Sequence, residues 1–505
     1  MTVIKRLFCK HLVVLAMCVS SVNLPAQDVF QGTIKDFVLL ALEQNQELEV
    51  QRISPLIQQE TIDEAWGIFD PRIVSEFIHE EKETNVDQRT FNSLYSSLFG
   101  PADPTSIYHE RNSTYRVGVE GIFDMGTQYQ LFLQNRKLVN DTNAFDSEFT
   151  SDTILMLTQP VLKGFGKDVN LAKVSLAKSD LKREKYRLAS VVNRMLGDTM
   201  VACVELIFAQ KNLEVKQESI ALAEELYEGN KKTFELGRMS EIDVLQAEGR
   251  VSEAREEELQ ARTFLIERTN DLKALVVADF AEKQNVDFQV IDELNTEYKL
   301  PKTPDLLQTA LKNNADYLAA EQYVESQDIA VKVADNGLKP QVDLIGSVSL
   351  NGLDFDDPID AISDYQNRNK PSWSLGVAVS YPIGNQSAKA AKRRALLQRR
   401  QARMNVSSSK VQLSARLDSA VKIVEIAYTR IAISKMSVEL ARKSLDAEVK
   451  RLKLGTTTSF NVAEMQKNLS VARTRQLAAV VEYEKALIKL WGLVGILKDR
   501  MDVAL

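Results

Sequence analysis

From about Gln386 to Leu452 the chain contains no glycine and no proline, and an aliphatic residue returns every seventh position: Leu417, Val424, Ile431, Val438, Leu445 and Leu452. Leu413, Ala420, Ala427, Ser434 and Ala441 fill the position four residues earlier in each heptad. This spacing is the seam of an α-helical coiled coil. At about 1.5 Å per residue such a helix reaches roughly 100 Å, far beyond an ordinary globular helix. It stops at Leu454-Gly455-Thr456-Thr457-Thr458-Ser459. Gly455 suits a left-handed C-cap there, and Thr458 or Ser459 can open a returning helix, so the rod folds back on itself.

The same device occurs earlier. A helix after Gly164-Phe165-Gly166 carries Val174, Leu181, Leu188, Met195, Ala202 and Ala209 at heptad spacing. It ends in Leu236-Gly237-Arg238-Met239-Ser240-Glu241-Ile242-Asp243-Val244-Leu245, which aligns without a gap with the ten residues from Leu454 to Ala463. Upstream, Asp36-Phe37-Val38, Ala41-Leu42 and Gln44-Asn45 are echoed by Asp305-Leu306-Leu307, Ala310-Leu311 and Asn313-Asn314. The chain therefore reads as an internal duplication. The first repeat spans residues 28–303: a helix from Thr33 to about Phe69, strands over 72–161, a helical hairpin over 166–280 and a polar connector. The second spans 304–505, with a helix, strands over 341–381 and a hairpin over 386–497.

Proline closes each leading helix, and strand patterns follow. Trp373, Leu375, Val377, Val379 and Tyr381 alternate with Ser372, Ser374, Gly376, Ala378 and Ser380. Val342, Leu344, Gly346, Val348 and Leu350 alternate in the same way, interrupted by Ile345. Both a lipid-facing barrel strand and a strand of a soluble sandwich have this period. The first repeat offers four strands, near 72–80, 114–123, 127–136 and 153–161, with a tight turn at Asp124-Met125-Gly126. Polar stretches over 81–112, 138–151 and 351–370 read as long exposed loops on one side.

Lys5, Arg6 and Lys10 precede an apolar run from Leu12 to Val22, the pattern of a secretory signal over residues 1–27. An N-terminal membrane anchor, for which the apolar run is short, and a lipid-bearing Cys18 are the alternative uses of that segment. Cys9 and Cys18 lie within it, leaving Cys203 alone on an apolar helical face, where it reads as a small core residue. Acidic and basic residues nearly balance, with a net charge of -7, so nothing marks a nucleic-acid partner. His11, His79 and His109 lack metal-ligand spacing, and Gly166-Lys167 lacks the upstream glycine of a phosphate loop. No nucleophile, base, metal or cofactor constellation points to an enzyme.

Two long hairpins joined to about six strands cannot close a water-filled barrel within one chain, and open strand edges are not tolerated in lipid. The expectation is an α+β membrane protein in which protomers share one transmembrane β-barrel and gather their antiparallel coiled-coil hairpins into an α-barrel. A periplasmic coiled-coil adaptor or scaffold with a soluble β-domain is the alternative.

The duplicated Ala-Leu…Asn-Asn helix, the Gln159-Pro160 and Tyr381-Pro382 junctions and both Leu-Gly…Val turns together resemble the TolC family of bacterial outer-membrane efflux and secretion channels. That resemblance implies a homotrimer in outer membrane lipid with its helices in the periplasm. It also implies a periplasmic adaptor (membrane fusion) protein and an inner-membrane pump of RND or ABC type, serving efflux or type I secretion. It assigns the adaptor-contacting tips to Leu236, Gly237, Arg238, Met239 and Ser240, and to Leu454, Gly455, Thr456, Thr457 and Thr458. It places the periplasmic entrance constriction at Asp243, Asn461 and Glu464, where Asn461 replaces one of the family's acidic residues. Leu452 and Thr457 stand where the family's closing latch has tyrosine and arginine, whereas Asp243 keeps the aspartate. Four strands per chain are usual in the family. The six counted here imply either a larger barrel, which the alternation of Tyr129, Leu131 and Leu133 favours, or a projecting hairpin.

Overall fold

The computed structural model describes residues 29–85, 107–141, 146–281, 283–294, 303–368 and 371–502. The expected signal segment, with Cys9, His11 and Cys18, lies outside them. In chain order the elements are β1 (Val29–Gly32), α1 (Ile34–Gln44), α2 (Gln46–Trp66), β2 (Arg72–Asn85), β3 (Ile107–Ile122), β4 (Gln128–Asn140) and β5 (Glu148–Pro160). There follow α3 (Ala172–Glu235), α4 (Glu241–Val276), β6 (Asp287–Val290), α5 (Thr303–Asn313), α6 (Ala315–Asn336) and β7 (Gln341–Asp354). The last are α7 (Pro358–Arg368), β8 (Pro371–Ser380), α8 (Gln386–Lys453) and α9 (Ser459–Val494). One-turn helices occupy Lys167–Asn170 and Leu497–Met501.

The chain divides into two compact units. The first, from residues up to 41, 202–294 and 440–477, holds both Gly turns and the parallel pair β1 and β6. That pair is sealed by Phe30, Phe37 and Phe288, whose ring centroids lie 5.4 to 5.6 Å apart. The second unit, from residues 42–201, 295–439 and 478 onward, holds a six-stranded antiparallel sheet in the order β2-β3-β4-β5-β7-β8. The β3–β4 hairpin is an integral part of this sheet, so it does not project. Its turn closes through Gly126, at φ +94°, whose N–H donates to Phe123 at 2.8 Å.

Register aligns one apolar row across all six strands: Ile73, Val119, Leu131, Leu155, Val348 and Trp373. The row is solvent-exposed at both ends, with Ile73 78% and Trp373 77% accessible. One residue along, on the opposite face, the row reads Arg72, Glu120, Gln130, Met156, Ser347 and Ser374. Arg72 pairs there with Glu120, and the Ser347 and Ser374 hydroxyls bond at 2.7 Å. One face is thus apolar and outward, the other largely polar and internally bonded. Among the described residues neither β2 nor β8 has a second neighbour, so both edges are open.

Beside the sheet stand α2, α3, α6 and α8, in that order. Ile62 of α2 packs on Val174 and Ala177 of α3. Ser179 of α3 bonds Ser326 of α6 at 2.9 Å, and Asp328 of α6 meets Arg399 of α8 at 3.4 Å. The seam residues Leu413, Leu417, Ala420, Val424, Ala427 and Leu445 are all buried.

Several expectations need correction. The leading helix is not continuous: Asn45 breaks it and caps α2, its side chain accepting from the Leu48 N–H at 2.9 Å. Asn314 does the same for α6 through Tyr317 at 3.0 Å. Residues 81–85 and 107–112, expected in a loop, are paired strand, held by charge pairs such as Arg111 with Glu81 at 3.3 Å. The 138–151 stretch likewise begins and ends in strand, with Leu138 opposite Glu148. The 351–370 loop contains a helix, because Asp357 accepts from the Ile359 N–H at 2.7 Å and Pro358 occupies the first helical position.

Candidate functional site

Both hairpin turns are built from the same backbone. Gly237 and Gly455 each adopt φ +70°, a conformation that costs a Cβ-bearing residue about 1 to 2 kcal/mol. At the first turn Arg238 N–H returns to the Thr233 carbonyl at 3.0 Å, and at the second Thr456 N–H returns to Arg451 at 3.0 Å. These bonds satisfy carbonyls that the helix ends would leave unpaired. Leu236 and Leu454, immediately before the glycines, are 72% and 78% exposed. Ile242, Leu245 and Phe460 add exposed apolar surface beside them.

Side chains distinguish the two turns. Ser240 caps α4: its hydroxyl accepts from the Asp243 N–H at 3.3 Å and donates to the Asp243 carboxylate at 2.6 Å. At the second turn Thr457 reaches back to Glu448 and accepts from Asn461 Nδ2 at 3.0 Å. Asn461 and Glu464 are exposed, whereas Asp243 and Leu452 are half-buried. Arg238 and Thr458 are exposed and Met239 is half-buried.

The structure adds residues that the motif comparison missed. Asn230, 2% exposed, donates to the Asp243 carbonyl at 3.3 Å and to the Ser459 hydroxyl, tying the starts of α4 and α9 together. Further along, Arg250 is 5% exposed and bonds Ser219 at 3.1 Å, Glu253 at 3.3 Å and Glu257 at 3.5 Å. Lys216 meets Glu257 at 2.7 Å, and Lys467 of α9 pairs with Glu253. The Lys467 ammonium holds the Glu253 carboxyl below its ordinary range, and Glu253 in turn raises Lys467. A signal for these residues existed: Lys216, Ala223 and Asn230 continue the heptad that runs from Val174 to Ala209. Polar residues on a coiled-coil seam fix register.

Chemistry finds little purchase. Burial pushes the Cys203 thiol far up, which makes it a poor nucleophile. Among the described residues no group of three His, Cys, Asp or Glu could hold a metal, and no helix is long and apolar enough to cross a membrane. His79 and His109 lie exposed on strands, bonded to Ser113 and Asp141, each at 2.9 Å.

Residues 306–495 match the family model of the outer membrane efflux protein. Over that stretch the chain resembles the TolC-like outer membrane efflux proteins. The chain is 23% identical over 335 residues to outer membrane efflux protein BepC of Brucella suis biovar 1 (strain 1330), covering 65% of this chain and 68% of that one. Its fold matches the outer-membrane channel OprN with a TM-score of 0.64 at 15% identity, covering 92% and 89% of the two chains. The Campylobacter jejuni CmeC outer membrane channel matches at 0.63 and 15%, over 92% and 85%.

Proposed function

We propose that this chain is the passive exit duct of a tripartite export system in the bacterial outer membrane. The observation that carries the reading is the six-stranded sheet, apolar and outward on one face, polar on the other and open at both edges. An open edge is not tolerated in lipid, so β8 of one copy must meet β2 of another. Both edges belong to antiparallel pairs, and an even strand number lets the alternation continue across the joint. Three copies would supply eighteen strands, within the range that encloses an aqueous channel. A homotrimer is also what the TolC resemblance implies.

The two repeats, 28–303 and 304–505, then contribute one hairpin each per protomer to a periplasmic helical tunnel. Leu236 and Leu454, held out by the Gly237 and Gly455 turns, suit apolar contact with a periplasmic adaptor. That adaptor would link the duct to an RND or ABC pump, which supplies the energy. Asp243, Asn461 and Glu464 sit beside those tips and would line the entrance, where three copies of Glu464 form a ring that draws cations. Purified protein added to planar bilayers should insert and give stable ohmic conductance. A preparation that stays in the water-soluble fraction and conducts nothing would overturn the reading in favour of the coiled-coil scaffold.

A further inference from the structure

Between Gln386 and Leu417 the sequence carries nine basic residues and no acidic one. Lys392, Arg399 and Arg403 lean on Asp335 and Asp328 of α6. Lys389, Arg393, Arg394 and Arg400 have no carboxylate partner among the described residues. Arg393, Leu397, Arg400 and Met404 follow one another at three- and four-residue steps, which places them on one stripe of α8. That stripe lies opposite the buried Ala395 and Ala402, and Leu397 and Met404 are each 63% exposed.

At the other end of the helix row, α2 is the chemical complement. It carries five acidic residues against one arginine. Opposite its buried Ile62, the stripe Val50, Ile53, Ile57, Glu60 and Glu64 faces solvent. Connectivity makes the two stripes ends of one structure: α2 leads into edge strand β2, and α8 leaves edge strand β8. If β8 of one copy pairs with β2 of the next, α8 of the first must come beside α2 of the second, running antiparallel to it.

Register agrees. Counting about 1.5 Å per residue from the sheet-side helix ends, Glu60 lies about 9 Å from the end of α2 and Arg393 about 10 Å from the start of α8. Ile57 and Ile53 fall at about 13 and 20 Å, bracketing Leu397 at about 16 Å. Val50, at about 24 Å, falls between Arg400 and Met404, at about 21 and 27 Å.

We infer that a second copy of this chain covers the α8 stripe with its α2, the Ile53/Ile57–Leu397 contact forming the apolar centre, Glu60 meeting Arg393, and Glu64, at about 3 Å from the end of its helix, meeting Lys389 at about 4 Å. This rests on the shared-barrel reading above and specifies which surfaces join and what sets their register. Opposite charges at matched depth favour the correct edge, because α2 against α2 or α8 against α8 would place like charges together.

The test uses the full chain in detergent, with the native mass of the unaltered protein measured first. The paired variant Ile57→Cys/Leu397→Cys, oxidised, should give a dimer and trimer ladder on denaturing gels, lost on reduction and absent from either single variant. Glu60→Arg/Glu64→Arg and Lys389→Glu/Arg393→Glu should each lower the temperature at which the oligomer dissociates, and their combination should recover most of that loss. An unaltered trimer with no ladder, or charge reversals that are silent alone and no better combined, would overturn the seam and leave the shared barrel standing. A monomeric unaltered protein would overturn both. Because the cysteine pair leaves every charge in place, it decides the matter even if the reversed variants fold poorly.

Discussion

The two hairpin turns share a backbone and differ in nearly everything attached to it. Both place glycine at φ +70° and both return an N–H across the turn at 3.0 Å. Yet the first is locked by Ser240 with Asp243, and the second by Thr457 between Glu448 and Asn461. The lesson is that reversal of the chain is a backbone requirement met twice in one way, while the groups around it are free to specialise. An exposed leucine is common to both, which fits a shared docking role; charge is not, which fits separate roles at the entrance.

The largest expected effect breaks the shared part. Gly237→Val and Gly455→Val should each cost about 1 to 2 kcal/mol locally, seen as faster amide exchange in the adjoining helix ends. Both should abolish export in cells while leaving bilayer conductance intact. Unequal losses would show that the turns are not equivalent.

Next comes the charge difference. Glu464→Gln should reduce the cation preference of the channel in a salt gradient. Asn461→Asp, which adds a carboxylate at the position aligned with Asp243, should raise it, with reversal potentials shifting in opposite directions.

Capping follows. Ser240→Ala should destabilise the start of α4 by about 1 kcal/mol, and Thr457→Ala the start of α9 by about 0.5 to 1 kcal/mol. Local exchange rates at each turn should separate the two.

The smallest effect concerns the Lys467–Glu253 pair, which is partly exposed and worth under about 1 kcal/mol. Glu253 is held below its ordinary value of 4.5, so its contribution is complete above that value and fades as pH falls through it. Lys467 is raised above 10.5, so its contribution is complete below that value and fades as pH climbs. Lys467→Met should flatten the acid-side loss in thermal melts between pH 3 and 5, a window set about the ordinary glutamate value.

Much of this fold is legible in the residues because long helices and amphipathic strands are periodic. Leu413, Leu417, Ala420, Val424, Ala427 and Leu445 of the seam are buried and Ile431, Ser434, Val438 and Ala441 half-buried, and Trp373 to Val379 present one exposed apolar face. Strand ends were less legible. Beyond the apolar band the paired residues are charged, as with Glu81 opposite Arg111, and such residues read as loop until a partner is known. Pairing of β1 with β6 was hidden for a similar reason: each strand has four residues, and they lie about 260 positions apart. At the candidate site the turns announced themselves through aligned glycines. Lys216 and Asn230 show only through their heptad positions, and Arg250 not at all, because a buried polar residue on a helix looks like a solvated one until its bond is seen.

The most direct test of the central claim is the native mass of the protein in detergent, corrected for bound detergent. Three chains per particle, with no stable single-chain species, is the predicted result. A stable monomer would contradict it, because a lone sheet with β2 and β8 unpaired cannot line a pore.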